Sequence, residues 1–88
     1  MRGSKFAQTE DLFRATLKDL RQQKGFTQAQ LAKRLALPQS YVSKYETGER
    51  RLDFVETVSV CEALGISLDD FVKAFSKKLA KKGRSSRD

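Results

Sequence analysis

The only proline of this 88-residue chain, Pro38, stands between two short stretches that each repeat apolar residues at helical spacing. Leu31, Ala32 and Leu35 precede it; Val42 and Tyr45 follow. Proline disfavours the α conformation in the residue before it, while its own φ, near −65°, suits the start of a new helix. One helix therefore ends and another begins within about three residues, the junction of a helix-turn-helix unit. The first of the two opens at Thr27-Gln28-Ala29-Gln30, where the Thr27 hydroxyl is placed to accept from the third backbone N–H and Gln30 to reach back to the cap. The second covers residues 39–47 and stops at Gly48, a residue suited to a left-handed cap.

Three further helices follow from the same logic. Leu12, Phe13, Leu17 and Leu20 predict a helix over residues 9–24, with Glu10 and Asp11 in its first turn and Gly25 as its stop. Asp53 with Glu56 predicts a capped helix whose stripe is Phe54, Val55, Val58, Cys61 and Leu64, ending at Gly65. Ser67 with Asp70 predicts a last one carrying Leu68, Phe71, Val72, Phe75 and Leu79. With no strand pattern and no repeat, the fold expected is all-α: a compact five-helix bundle over residues 9–79. A flexible lead over residues 1–8 and a disordered basic tail over residues 80–88 flank it. Length allows one domain and leaves no room for a second, ligand-sensing one.

Charge needs dissecting before it says anything about partners. The formal net charge is +7, but residues 76–88 hold Lys77, Lys78, Lys81, Lys82, Arg84 and Arg87 against Asp88 alone, so only +2 belongs to the rest. A polyanion is a natural partner for such a chain, yet the argument has to come from local pattern. The tail fits either a phosphate grip or a merely solubilising end. No apolar run approaches the roughly 20 residues that cross a bilayer, and residues 1–8 lack a signal-type apolar stretch, so no membrane association and a cytoplasmic location are expected. The lone Cys61 sits on an apolar stripe and reads as a small core hydrophobe. Without histidine, a second cysteine, a glycine-rich phosphate loop or an evident carboxylate pair, no enzyme activity, metal or cofactor is expected.

The helix after Pro38 carries the candidate function. Leu31, Leu35, Leu37, Val42 and Tyr45 are expected between the two helices, with small Ala32 where they approach closely. Gln39, Ser40, Ser43, Lys44 and Thr47 then share a polar face that core packing does not explain. Gln39 has the donor and acceptor to pair with adenine N6 and N7, and Lys44 can donate to guanine O6/N7 or to a phosphate. Ser40 and Ser43 suit either a base or a phosphate.

Phe26-Thr27-Gln28-Ala29-Gln30-Leu31-Ala32, followed by Gln39-Ser40-Tyr41-Val42-Ser43-Lys44-Tyr45-Glu46 and Gly48, resembles the signature of the Cro and phage-repressor type of helix-turn-helix regulator, also called the xenobiotic-response-element family. The resemblance covers residues 9–75. It implies a lambda-repressor-like DNA-binding domain that recognises double-stranded DNA as a homodimer on a two-fold-related operator. It also implies a small transcriptional repressor or autoregulator, with Gln39, Ser40, Ser43 and Lys44 reading bases. Thr27, Gln28, Tyr41, Thr47, Arg50 and Arg51 would contact phosphates, although Tyr41 equally fits flank packing and the arginines plain solvent exposure. Gln28 would also buttress Gln39, and Arg21 would form a structural ion pair with Glu46. Two departures stand out: Ala36 where the family most often has glycine, and Pro38 in place of a serine or threonine cap. Phe75 and Leu79 are candidates for part of a dimer contact. Two alternatives share the same residues, an antitoxin that neutralises a partner protein and a restriction-modification controller.

Overall fold

The computed structural model describes residues 6–87, with side chains as far as Lys81. Residues 1–5 of the expected lead, and Asp88, lie outside the described residues. Five helices follow one another: α1 (Ala7–Gln23), α2 (Gln28–Leu35), α3 (Gln39–Thr47), α4 (Phe54–Leu64) and α5 (Leu68–Arg87). α1 packs on α3 along one side and on α5 along another, α2 packs on α3 and α4, and α4 meets α5.

Local chemistry sets most helix ends. Thr27 accepts from the Gln30 N–H at 3.0 Å while the Gln30 side chain takes the Thr27 N–H at 2.9 Å. Asp53 and Glu56 form the equivalent box at the start of α4. At the tight junction, Ala36 adopts the left-handed conformation, φ 59°, and the Leu37 N–H closes onto the Ala32 carbonyl at 3.0 Å. An alanine there costs on the order of 1 kcal/mol against glycine. Pro38, with φ −63° and ψ 152°, then launches α3 without a side-chain cap, the missing N–H being one the helix would not have used. At the far end of α3, Gly48 has φ 91°, a backbone conformation that calls for glycine, and a Cβ there would stand 3.0 Å from the Arg14 guanidinium carbon, whose flexible side chain would have to give way slightly.

The core is Leu17, Leu31, Ala32, Val42, Tyr45, Val60, Cys61, Leu64 and Phe71. Phe13 meets Phe71 and Phe75 edge-on, with centroids 5.7 and 6.0 Å apart, which fastens α5 to α1. Several sequence expectations need correcting. Leu37 is 41% exposed instead of packing between the helices, because the left-handed turn at Ala36 swings it outward. α4 is rotated from its expected stripe: Thr57 and Val60 point inward, while Phe54 and Val55 are 68% and 72% exposed. Thr57 enters the core at little cost because its hydroxyl donates to the Asp53 carbonyl at 2.8 Å. α5 continues to Arg87, through the stretch read as a disordered tail from Ala80 onward. Ala80, Lys81, Lys82, Arg84 and Arg87 are helix-favouring residue types, and an already nucleated helix propagates through them and across the less favourable Gly83, Ser85 and Ser86.

Tyr45 is fully buried, and its hydroxyl has no hydrogen-bond partner among the described residues. Burial pushes its phenol well above the ordinary tyrosine range. The folded chain thus keeps a proton that the unfolded chain releases above about pH 10, so stability falls as pH rises beyond that point, by up to about 1.4 kcal/mol per pH unit. Tyr45→Phe is expected to flatten this alkaline decline in urea unfolding, and to leave stability at pH 7 within about 1 kcal/mol of the parent. An undiminished decline in the variant would trace the loss to other groups.

Candidate nucleic-acid interface

The exposed face of α3 is built by helical geometry alone. Val42 and Tyr45 turn into the core, which leaves Gln39, Ser40, Lys44 and Thr47 exposed and Ser43 half-exposed on the opposite side. Thr47 turns its hydroxyl back to the Lys44 carbonyl at 3.1 Å, so its oxygen keeps acceptor capacity for another group. None of Gln39, Ser40, Ser43 and Lys44 is tied down by a side-chain partner among the described residues, and all four remain available to a ligand.

A buried ion pair holds this face in place. Arg21 on α1 donates from Nε to Glu46 Oε2 at 2.7 Å and from Nη2 to Oε1 at 3.0 Å. The two side chains are only 8% and 3% exposed. Arg21 also donates from Nη1 to the Phe26 carbonyl at 2.8 Å, and its hydrogen bonds to Glu46 hold the guanidinium further up in basicity. Glu46 takes a third hydrogen bond, from Gln28 Nε2 at 2.9 Å. One carboxylate thereby links α1, α2 and α3, and the orientation of the exposed face depends on it.

That third bond corrects one sequence expectation. The Gln28 amide lies against Glu46 rather than Gln39, because Glu46 is the nearby charged acceptor. Gln28 keeps one amide hydrogen, and Thr27 keeps its hydroxyl proton, since the cap uses that oxygen only as an acceptor. Both sit at the N-terminus of α2, where unpaired backbone N–H groups favour an anion.

The segment after α3 is more organised than its sequence suggested. The Arg50 N–H closes onto the Lys44 carbonyl at 3.1 Å. Its guanidinium lies 4.7 Å above the Tyr41 ring and pairs with Glu56, the residue that also completes the α4 cap. Arg51 pairs with Glu10 of α1 at 2.9 Å. Tyr41 packs edge-on against Tyr45 at 5.9 Å. Sequence reasoning missed these carboxylate partners, because Glu10 lies 41 residues from Arg51 and nothing local signals the pairing. It likewise missed Arg34, which donates to the Ala63 carbonyl at 2.6 Å and covers the Phe26 ring, tying α2 to the end of α4.

Two helices joined through a left-handed Ala36, with the second held polar face outward, form a helix-turn-helix. The helix-turn-helix family profile matches residues 17–71, from the second half of α1 to the first turn of α5. The chain belongs to the helix-turn-helix family. Within it, the chain is 32% identical over 65 residues to the uncharacterized HTH-type transcriptional regulator YqaE of Bacillus subtilis, an alignment covering 74% of this chain. The chain spans little more than half, 56%, of that relative's length. Among solved structures, an XRE-family like protein from Pseudomonas syringae pv. tomato superposes with a TM-score of 0.73 at 34% identity, covering 80% of this chain and 85% of that one. The restriction-modification controller protein C.Esp1396I gives 0.77 at 25% identity over 81% and 91%. The clp gene regulator ClgR of Corynebacterium glutamicum gives 0.76 at 26% over 90% and 84%. No helix among the described residues is long and apolar enough to cross a membrane.

Proposed function

We propose that this helix-turn-helix chain is a sequence-specific double-stranded DNA-binding transcriptional regulator that reads its operator with α3. The observation that carries this reading is the unpartnered polar face of α3, held by a buried ion pair that also orients α2. With α3 in the major groove, Gln39, Ser40, Ser43 and Lys44 meet base edges. Gln28 and Thr27 offer their remaining hydrogens, together with the α2 backbone N–H groups, to a phosphate on one flank. Thr47, Tyr41, Arg50 and Arg51 serve the other flank. The two arginines exchange Glu56 and Glu10 for phosphate oxygens, an inexpensive trade for such exposed ion pairs.

The operator is two-fold related and bound by a homodimer, its half-sites about one helical turn apart, roughly 34 Å. Phe75 and Leu79 are both partly buried, and one side of the Phe75 ring is engaged with Phe13 and Phe71, which limits what they offer to a self-contact. The exposed neighbours Phe54 and Val55 are better placed to be covered. Regulation works by occupying the operator, most simply as repression or autoregulation in the cytoplasm, without catalysis. Control of restriction-modification genes is a second reading, favoured by the match to C.Esp1396I over 91% of that chain.

Selection of bound duplexes from a random pool at about 150 mM salt tests the proposal, because salt at that level removes most non-specific phosphate affinity. The expected result is a two-fold-related motif. Recovery of unrelated sequences, with binding that only fades as salt rises, would overturn it.

A further inference from the structure

α1 and α5 leave an open groove between them, of about 440 Å³. Thr16, Leu20 and Ala74 form part of its lining. Along one wall, α5 presents Lys73, Lys77 and Lys81, all exposed and four residues apart, which places them about 6 Å apart along the helix axis. Lys78 is already occupied, donating to Asp19 at 2.7 Å across the groove. The other three lysines have no ion-pair partner among the described residues, so the lining carries a basic row, offset only in part by Asp70, beside an apolar strip. Asp70, in the first turn of α5, supplies acceptor capacity at one end.

The groove lies away from the face that carries Gln39 and Lys44. On α1, Arg14 and Arg21 face α3, through Gly48 and Glu46. Asp19, Leu20 and Gln23 lie roughly 150° further round the helix. A ligand on that side therefore leaves α3 free.

We infer that the α1–α5 groove docks a short acidic amphipathic helix of a partner protein, whose carboxylates meet Lys73, Lys77 and Lys81 and whose apolar row packs on Leu20 and Ala74. Charge complementarity and register argue for this occupant: glutamates spaced four apart on a helix repeat at the same rise of about 6 Å. A DNA backbone is the weaker fit, since phosphates make no use of an apolar strip recessed between two helices. The inference goes beyond the DNA-reading role, and DNA enters its test only to exclude a phosphate-contacting role for the three lysines.

The test uses the full chain and a fluorescein-labelled helical peptide with three glutamates at four-residue spacing flanked by a leucine row, at about 150 mM salt. Saturable anisotropy is expected, with the largest ¹H–¹⁵N shifts at Thr16, Leu20, Gln23 and Ala74. Lys73→Gln/Lys77→Gln/Lys81→Gln should weaken binding about tenfold, and so should replacing the peptide glutamates by glutamine. The three lysines are exposed, so the variant is expected to keep the parent Tm. Three outcomes overturn the inference: shifts scattered over all lysines including Lys44, binding indifferent to the triple substitution, or absence of saturation. A fourth also does so, namely a triple variant that loses affinity for the selected duplex with a smaller salt slope, because the lysines would then be phosphate contacts.

Discussion

Arg21→Ala is expected to destabilise the domain by about 3–5 kcal/mol, the range for leaving one member of a buried ion pair without its partner. Glu46 is 3% exposed and accepts from Arg21 twice, so removing the guanidinium strands a carboxylate with only the Gln28 amide. A domain of this size has roughly 5–15 kcal/mol in total, so the loss is a large share of it. Glu46→Ala should cost a similar amount, by stranding the arginine with only the Phe26 carbonyl. The double variant should cost much less than the sum, because replacing both charges avoids the unpaired state. Urea unfolding of the four proteins closes the cycle. Additive losses, or a single variant as stable as the parent, would remove the pair from its place in the scaffold.

Gln39→Ala/Lys44→Ala should reduce affinity for the selected duplex by roughly a hundredfold or more, each base contact being worth about 1–3 kcal/mol of discrimination. Affinity for a scrambled duplex should change far less. Both side chains are exposed on α3, so the midpoint of thermal unfolding should stay where it is. The contrast to measure is with Arg50→Ala/Arg51→Ala, which should weaken binding to all sequences alike and lower the salt slope by about two. Equal losses on selected and scrambled duplexes from the α3 variant would place base reading elsewhere on the molecule.

The junction around Pro38 was legible because every signal there is local: a capping box at Thr27, a proline that cannot continue α2, and a glycine at 48. The boundaries of α3 came out residue for residue on that basis. The polar face of α3 was legible for the same reason, since helical period alone sorts Gln39, Ser40, Ser43 and Lys44 from Val42 and Tyr45. α4 was read less well. Phe54 and Val55 are more apolar than Thr57, and hydrophobicity alone placed them inward, whereas a hydroxyl bonded to the Asp53 carbonyl makes Thr57 the better core neighbour. Arg21 and Glu46 were matched through family resemblance, because two charges 25 residues apart give no sign of each other in a single sequence.

By itself, the sequence determined five helices, the side-chain caps of α2, α4 and α5, the tight turn and the side chains that α3 displays, since each depends on dihedral preferences or hydrogen bonds spanning no more than a few residues. Only the tertiary structure decided that Gln28 turns to Glu46, that Glu10 and Glu56 hold the loop arginines, that α4 rotates to expose Phe54, and that α5 lines a basic groove with α1. These depend on which faces meet when the helices pack. Packing selects among several amphipathic registers of similar local energy by the space and partners that other helices supply.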